Sequence, residues 1–130
     1  MLRMFVLGIA GGIGTLARYW LSGLAQRWSR GAFPLGTLTV NVVGCLLIGL
    51  VMELVREQRT LSPDARTLVT VGLIGGFTTF SAFSYETLDL AAGGSRGLAI
   101  ANVAANVIVG TGAVWLGAVA ARSIFGRVVI

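Results

Sequence analysis

Asparagines and hydroxyl residues spaced four positions apart are the side chains of this sequence that could do chemistry together. Asn102 and Asn106 have this spacing, and Thr37 and Asn41 repeat it. Residues four apart share one face of a helix, so each pair would form a polar ladder. An amide offers two N–H donors and an acceptor, and a hydroxyl adds one donor. Such ladders could join helices, or they could line a path for a polar solute.

The charges around these ladders favour an anion as that solute. Arg18 lies inside an apolar segment, whereas no acidic residue lies in the middle of one. A proton-coupled exporter of cationic drugs would need a membrane-embedded acid. The sequence also lacks histidine, which excludes imidazole chemistry and ordinary zinc sites. We therefore expect an anion pathway and no enzymatic activity.

The stretch LIGGFTTFSAF, residues 73–83, interrupts an apolar segment with two glycines and several hydroxyls. Gly75 and Gly76 predict a helix break, with a new helix beginning near Thr79. Carbonyl groups released at a break cannot stay unsatisfied in lipid, so the break must lie against protein or line a cavity. Released carbonyls could hold a small cation such as Na⁺. The alternative is a glycine kink made only for packing.

Two phenylalanines follow the predicted break. Phe80 and Phe83 are three residues apart, which makes their rings neighbours on one face of the new helix. Such a pair usually serves packing. An aromatic ring also has a positive edge, however, and rings presented edge-on can attract a partly dehydrated anion.

The composition places these residues in a membrane. Of the 130 residues 55% are hydrophobic and 12% are charged. Four stretches are long and apolar enough to span a bilayer, at residues 4–24, 35–54, 68–90 and 98–121. The sequence therefore predicts one all-α membrane domain over residues 1–130, with four transmembrane helices, the third of them broken. Ser62 should cap a helix that begins at Pro63 and leads into the third span.

The net charge of +5 is carried by arginines in short loops and near helix ends. There they favour contact with anionic lipid headgroups, and no nucleic-acid partner is predicted. If the termini and the middle connection share one side, six arginines lie there and three lie opposite, which would place the termini inside the cell. A chain this small could also insert both ways. Gly8 and Gly12 form a small-xxx-small pair expected to let helices approach closely.

Four segments together resemble the Fluc/CrcB family of fluoride channels. They are GTLARYWL (14–21), GTLTVNVVG (36–44), GLIGGFTTFSAFSYE (72–86) and AVWLG (113–117), which cover all four spans. The resemblance implies a passive, fluoride-selective channel that exports fluoride across the inner membrane and relieves its toxicity. It also implies an antiparallel, dual-topology homodimer. Since fluoride is small and strongly hydrated, only a close series of donors could replace its water.

The resemblance implies roles for individual residues as well. A structural Na⁺ at the dimer centre would be held by the backbone carbonyls of Gly75 and Thr78 from both subunits. Arg18 would lie at the vestibule. The residues implied to line the fluoride pore are Asn41, Phe80, Phe83, Thr79, Ser81, Asn106, Asn102 and Thr37.

The sequence departs from the family pattern at a few of these positions. Ala82 stands where many relatives have Thr. In the fourth span, Asn102 takes a position where Tyr is frequent, Asn106 takes a Ser position, and Gly110 provides no side chain. The fourth-span lining is thus the part of the pore that the family pattern specifies least.

Two other functions are alternatives for a chain of this size. A small multidrug-resistance-type exporter shares the four-helix size and the dual topology, but it would require a carboxylate in the first span, which has none. A membrane subunit that transports nothing could use its Asn and Thr residues only to hold helices together.

Overall fold

The computed structural model describes residues 1–29, 31–58 and 61–125. Every regular element in these ranges is helical. Four helical segments are long and apolar enough to cross a membrane: Leu2–Gln26, Leu35–Arg56, Pro63–Ala92 and Arg96–Ile124. The predicted all-α architecture with four spans is thereby confirmed.

The first two spans are continuous helices and the last two are divided. The first span is α1 (Leu2–Gln26) and the second is α2 (Leu35–Gln58). The third consists of α3 (Pro63–Thr67), a π-helix (Leu68–Ile74), α4 (Gly75–Phe77) and, after an interruption, α5 (Phe80–Ala92). The fourth consists of α6 (Arg96–Ala104), a second π-helix (Ala105–Val109) and α7 (Gly110–Phe125).

Glycines let the second and fourth spans touch along their backbones. α2 makes its most extensive contact with α7. A Cβ built on Gly49 would collide with the carbonyl oxygen of Val114, and one on Gly117 with that of Leu46. Close backbone approach is the main use of small residues in membranes, where water drives no packing. These glycines therefore fix the distance between α2 and α7.

The first span packs against the first half of the third span in the same manner. A Cβ on Gly14 would collide with the Leu73 carbonyl oxygen, and one on Gly76 with that of Gly11. The predicted Gly8 and Gly12 pair is not the contact site within this chain, because a Cβ on either would meet nothing within 4 Å.

The third helix is broken two residues after the glycines that were predicted to break it. Gly75 has helical angles, φ −62° and ψ −39°. Thr78 (φ −86°, ψ 161°) and Thr79 (φ −150°, ψ 110°) are extended instead. Gly76 also lies in a helix, and its missing side chain lets the third span approach α1 closely. The expectation that a new helix begins near Thr79 is confirmed, since the Thr79 hydroxyl caps α5 by accepting the Ala82 N–H at 3.2 Å.

The helix ends follow ordinary capping chemistry. Ser62 caps α3 by accepting the Ala65 N–H at 3.3 Å, and Pro63 begins the helix, as the sequence predicts. Gly94, at φ +81°, ends α5 in a left-handed conformation that suits glycine. The Ser95 N–H returns to the Leu90 carbonyl at 2.8 Å.

Two ion pairs connect the end of the molecule that holds the middle connection to the terminal helices. Arg3 of α1 pairs with Asp64 of α3. The Arg122 Nε of α7 lies 2.6 Å from the Glu53 Oε1 of α2. The middle connection thus lies on the same side as the beginning of α1 and the end of α7, as predicted. Of the arginines counted on the two sides, Arg30, Arg59 and Arg127 lie outside the described residues.

Candidate functional site

Asn41 binds the backbone of the third span at its interruption. Its Oδ1 accepts the Thr79 N–H at 2.9 Å, and its Nδ2 donates to the Thr79 carbonyl at 3.1 Å. In a continuous helix the Thr79 N–H would instead donate to the carbonyl of Gly75. The Asn41 amide therefore replaces helical hydrogen bonding at Thr79, which satisfies a backbone donor that lipid could not satisfy.

The interruption also leaves carbonyl oxygens without a donor. Within the described residues, no hydrogen bond reaches the carbonyl of Gly75 or of Thr78, whereas the Gly76 carbonyl accepts from the Thr15 hydroxyl at 3.4 Å. Gly75 is exposed on the surface of the single chain and Thr78 is half-buried. Over the same residues, no cluster of His, Cys, Asp or Glu could hold a metal. Backbone oxygens are the ligands that remain, and hard cations favour oxygen.

The asparagines of the fourth span continue the contact made by Asn41. Asn41 Nδ2 donates to Asn106 Oδ1 at 3.0 Å, and Asn106 Nδ2 donates to Asn102 Oδ1 at 3.0 Å. Asn102 Nδ2 then donates to the Thr87 hydroxyl at 2.9 Å. The predicted ladder of Asn102 and Asn106 is confirmed as a direct hydrogen bond, and it extends to α2 at one end and to α5 at the other.

A cavity of about 400 Å³ lies beside the interruption. Its wall is mainly apolar, with a few amides and hydroxyls and two aromatic rings, and it contains no carboxylate. The residues around it are Asn41, Gly44, Cys45, Ile48, Thr70, Ile74, Gly75, Thr78, Thr79, Phe80, Phe83, Asn106 and Val107. Five of the eight residues predicted to line a pore are therefore brought together, along with both residues predicted to hold a cation.

The two phenylalanine rings are neighbours, as their spacing predicts. The centroids of Phe80 and Phe83 are 5.3 Å apart and the ring planes are inclined by 58°. Their environments differ, because Phe80 is 79% exposed on the single chain and Phe83 is 8% exposed. Phe83 belongs to the interior of the chain, whereas Phe80 extends from its surface.

The other predicted residues lie away from this cavity wall. The Ser81 and Thr79 hydroxyl oxygens are 3.3 Å apart and share a hydrogen bond. Asn102 is completely buried. Arg18 is half-buried on α1 and makes no hydrogen bond or ion pair to another described residue. Its vestibule position stays a prediction.

Thr37 contacts a carboxyl group that the sequence analysis did not assign to the site. Its hydroxyl donates to Glu86 Oε1 at 2.7 Å, while Glu86 Oε2 is buried and has no hydrogen-bond partner among the described residues. Both residues line a separate cavity of about 350 Å³ with Gln26. Thr37 and Asn41 therefore share a helix but face two different cavities. The sequence feature that could have identified Glu86 is an acidic residue within a membrane span, because such residues are rare.

Comparison with known proteins identifies the family. The sequence model of the family described as CrcB-like protein, Camphor Resistance (CrcB), matches residues 5–118. A relative from Methylobacillus flagellatus, named fluoride-specific ion channel FluC, is 46% identical over 118 residues, which are 90% of this chain and 92% of the relative.

Two further relatives carry the same name. The protein from Nitratidesulfovibrio vulgaris is 45% identical over 90% of this chain and 94% of its own length. The protein from Geotalea daltonii is 44% identical over 95% of this chain and 100% of its own. Since the family model covers residues 5–118, which include the interruption and reach all four spans, this chain is a multi-pass membrane protein that belongs to the CrcB-like family.

Proposed function

We propose that this chain forms a passive, fluoride-selective channel that exports fluoride across the inner membrane and so relieves its toxicity. The observation that carries the proposal is the interrupted third span, where Asn41, Thr79, Phe80 and Phe83 surround one cavity. The relatives named as fluoride-specific ion channels support the choice of ion, because they are 44–46% identical to this chain over 90–95% of its length.

The chemistry of the cavity suits an anion. Its amides and most of its hydroxyls already donate within the protein, so fluoride would gain donors by displacing those hydrogen bonds, and a ring edge could add partial positive charge. The absence of a carboxylate from its wall removes the group that would repel fluoride. Fluoride must lose tightly held water, so replacing that water needs several donors within a short distance. A larger halide would fit the same donors less well.

Two subunits are needed to close the site. Gly75 and Phe80 are exposed on the single chain, and the Gly75 carbonyl has no donor among the described residues. An interrupted helix with unsatisfied carbonyls cannot face lipid, so protein must cover it. A second copy, inserted in the antiparallel orientation, would cover this surface and would place two interruptions face to face. This homodimer, with dual topology in the membrane, is the assembly we propose.

We infer that a structural Na⁺ would lie between the two interruptions. The carbonyl oxygens of Gly75 and Thr78 from each subunit would hold it, as the family resemblance implies, and neither accepts a hydrogen bond from another described residue. When bound, the ion supplies a fixed positive charge that offsets the cost of bringing an anion into the bilayer. It would also satisfy carbonyls that lipid cannot satisfy.

The structure gives no support to the exporter. α1 contains no acidic residue that could exchange a proton for a drug. The channel and its alternatives are separated by fluoride-electrode measurements on liposomes that contain only this protein. A channel predicts fluoride efflux down its gradient without added energy. Drug-dependent proton uptake would favour the exporter, and vesicles that remain tight to fluoride and to drugs would favour a subunit that transports nothing.

A further inference from the structure

We propose that Asn102 and Asn106 act as positioning residues for Asn41, through a relay of amides that keeps the interruption of the third span in place. The relay is defined by Asn41, Asn106, Asn102 and Thr87. Its effect on ion flow rests on the proposed channel function, whereas its effect on the backbone at Thr79 does not.

One continuous series of hydrogen bonds in the relay runs in a single direction. The Thr79 N–H donates to Asn41, Asn41 donates to Asn106, and Asn106 donates to Asn102. Asn102 donates to the Thr87 hydroxyl, which donates to the Phe83 carbonyl at 2.7 Å. The relay thus leaves α5 at its cap, crosses α2 and the fourth span, and returns to α5. Hydrogen bonds joined head to tail in this way strengthen one another.

This arrangement fixes which way the Asn41 amide faces. Its Nδ2 makes two hydrogen bonds, to the Thr79 carbonyl and to Asn106 Oδ1. Reversing the amide would place its oxygen against those two oxygens and its N–H group against the Thr79 N–H. Asn106 is held in turn, since its Nδ2 donates to both the Oδ1 and the backbone carbonyl of Asn102 at 3.0 Å.

Burial explains why Asn102 can transmit an effect without touching Asn41 or Thr79. Asn102 has 0% exposure, so water cannot replace a hydrogen bond that it loses. A buried amide left unsatisfied is costly, and its neighbours must rearrange to compensate. The rearrangement would pass through Asn106 to Asn41 and then to Thr79. A further consequence is that an anion at Asn41 can obtain a donor only by displacing Thr79 or Asn106.

The experiment is amide hydrogen exchange at Thr79, followed by NMR on the isotope-labelled, full-length protein in detergent. Asn106→Ala should speed exchange at Thr79 about tenfold, the size expected for one lost buried hydrogen bond. Asn102→Ala, which removes no contact of Thr79 or of Asn41, should speed it roughly threefold because the relay is cooperative. Thr111→Ala is the matched control: Thr111 is exposed on α7, and the exchange rate should stay at the wild-type value.

The double variant tests the relay itself. Once Asn106 is replaced, removing Asn102 should add nothing, so the two effects must be non-additive. Effects that multiply would show independent roles and would overturn the proposal. Unchanged exchange at Thr79 in folded Asn102→Ala would overturn it too.

Thr87 provides a second test if the alanine variants fail to fold. Thr87→Val keeps the shape and removes the acceptor of Asn102, so exchange at Thr79 should rise, whereas Thr87→Ser should restore the wild-type rate. Equal rates in these two variants would contradict the relay. If exchange at Thr79 is faster in these variants but no form of the protein transports fluoride, the channel function is refuted and the relay is still supported.

Discussion

The side chain of Asn41 makes hydrogen bonds to both backbone groups of Thr79, at 2.9 Å to its N–H and at 3.1 Å to its carbonyl. One residue of the second span therefore provides the backbone hydrogen bonds of Thr79 that a continuous third helix would have made. Only a side chain with both a donor and an acceptor at its end can do so, which makes Asn41 the natural first target for mutation.

Asn41→Asp should abolish fluoride efflux without dispersing the assembly. A carboxylate can still accept the Thr79 N–H, but it cannot donate to the Thr79 carbonyl or to Asn106, and its charge repels an anion. We expect efflux to fall by more than about 100-fold, since an unpaired charge of the same sign costs several kcal/mol at short range. Efflux from liposomes measures this effect, with size-exclusion elution as the check on assembly. Undiminished efflux would remove Asn41 from the pathway.

Phe80→Ile should slow fluoride transport while leaving the subunit folded. Phe80 is 79% exposed on the single chain, so replacing it removes few contacts within the subunit. The loss of a polarised ring edge should reduce the rate by up to about tenfold, as expected for an aromatic contact of about 1 kcal/mol. Phe83→Ala is the comparison. Phe83 is buried, so its truncation should lower the thermal stability as well as the rate. A wild-type efflux rate for Phe80→Ile would assign that ring to packing.

Gly76→Ala should disrupt the contact between α1 and the third span. A Cβ at residue 76 would collide with the backbone of Gly11, which has no flexible side chain to move away. We expect a loss of about 1–3 kcal/mol in stability, the usual cost of overpacking. Gly112→Ala is the matched control, because a Cβ on Gly112 meets nothing within 4 Å. Thermal unfolding in detergent compares the two, and equal midpoints would contradict the close contact.

Replacing Na⁺ with a large organic cation should weaken the dimer. The carbonyls of Gly75 and Thr78 have no hydrogen-bond donor among the described residues, so they would face each other across the interface without a counter-charge. The dimer fraction, measured by cross-linking during dilution in detergent, should fall in the organic cation and recover when Na⁺ is added back. A dimer fraction independent of the cation would argue that no structural Na⁺ is present.

The sequence predicted the elements well because their signals are local. Four apolar stretches, the Ser62 cap and the spacing of Phe80 and Phe83 each depend on residues close together in the chain. The break itself was displaced, from Gly75 and Gly76 to Thr78 and Thr79. Local propensity favours glycine as a helix breaker, but Gly76 is required for contact with α1, and the hydrogen bonds of Asn41 form at Thr79 instead.

The partners within the site could not be derived from spacing. Thr37 and Asn41 occupy one face of α2, yet one bonds Glu86 and the other bonds Thr79. That difference depends on where the third span lies relative to α2. The helical period of a sequence does not specify that position. The link from Asn41 to Asn106 likewise joins residues 65 positions apart.

Passive conduction of fluoride is measured most directly by the reversal potential in a planar bilayer that contains the purified protein, with fluoride on one side and chloride on the other. A fluoride channel predicts a steady current whose reversal potential follows the fluoride gradient and does not move when the chloride concentration or the pH changes. Absence of current, or a reversal potential that follows chloride or protons, would contradict the account.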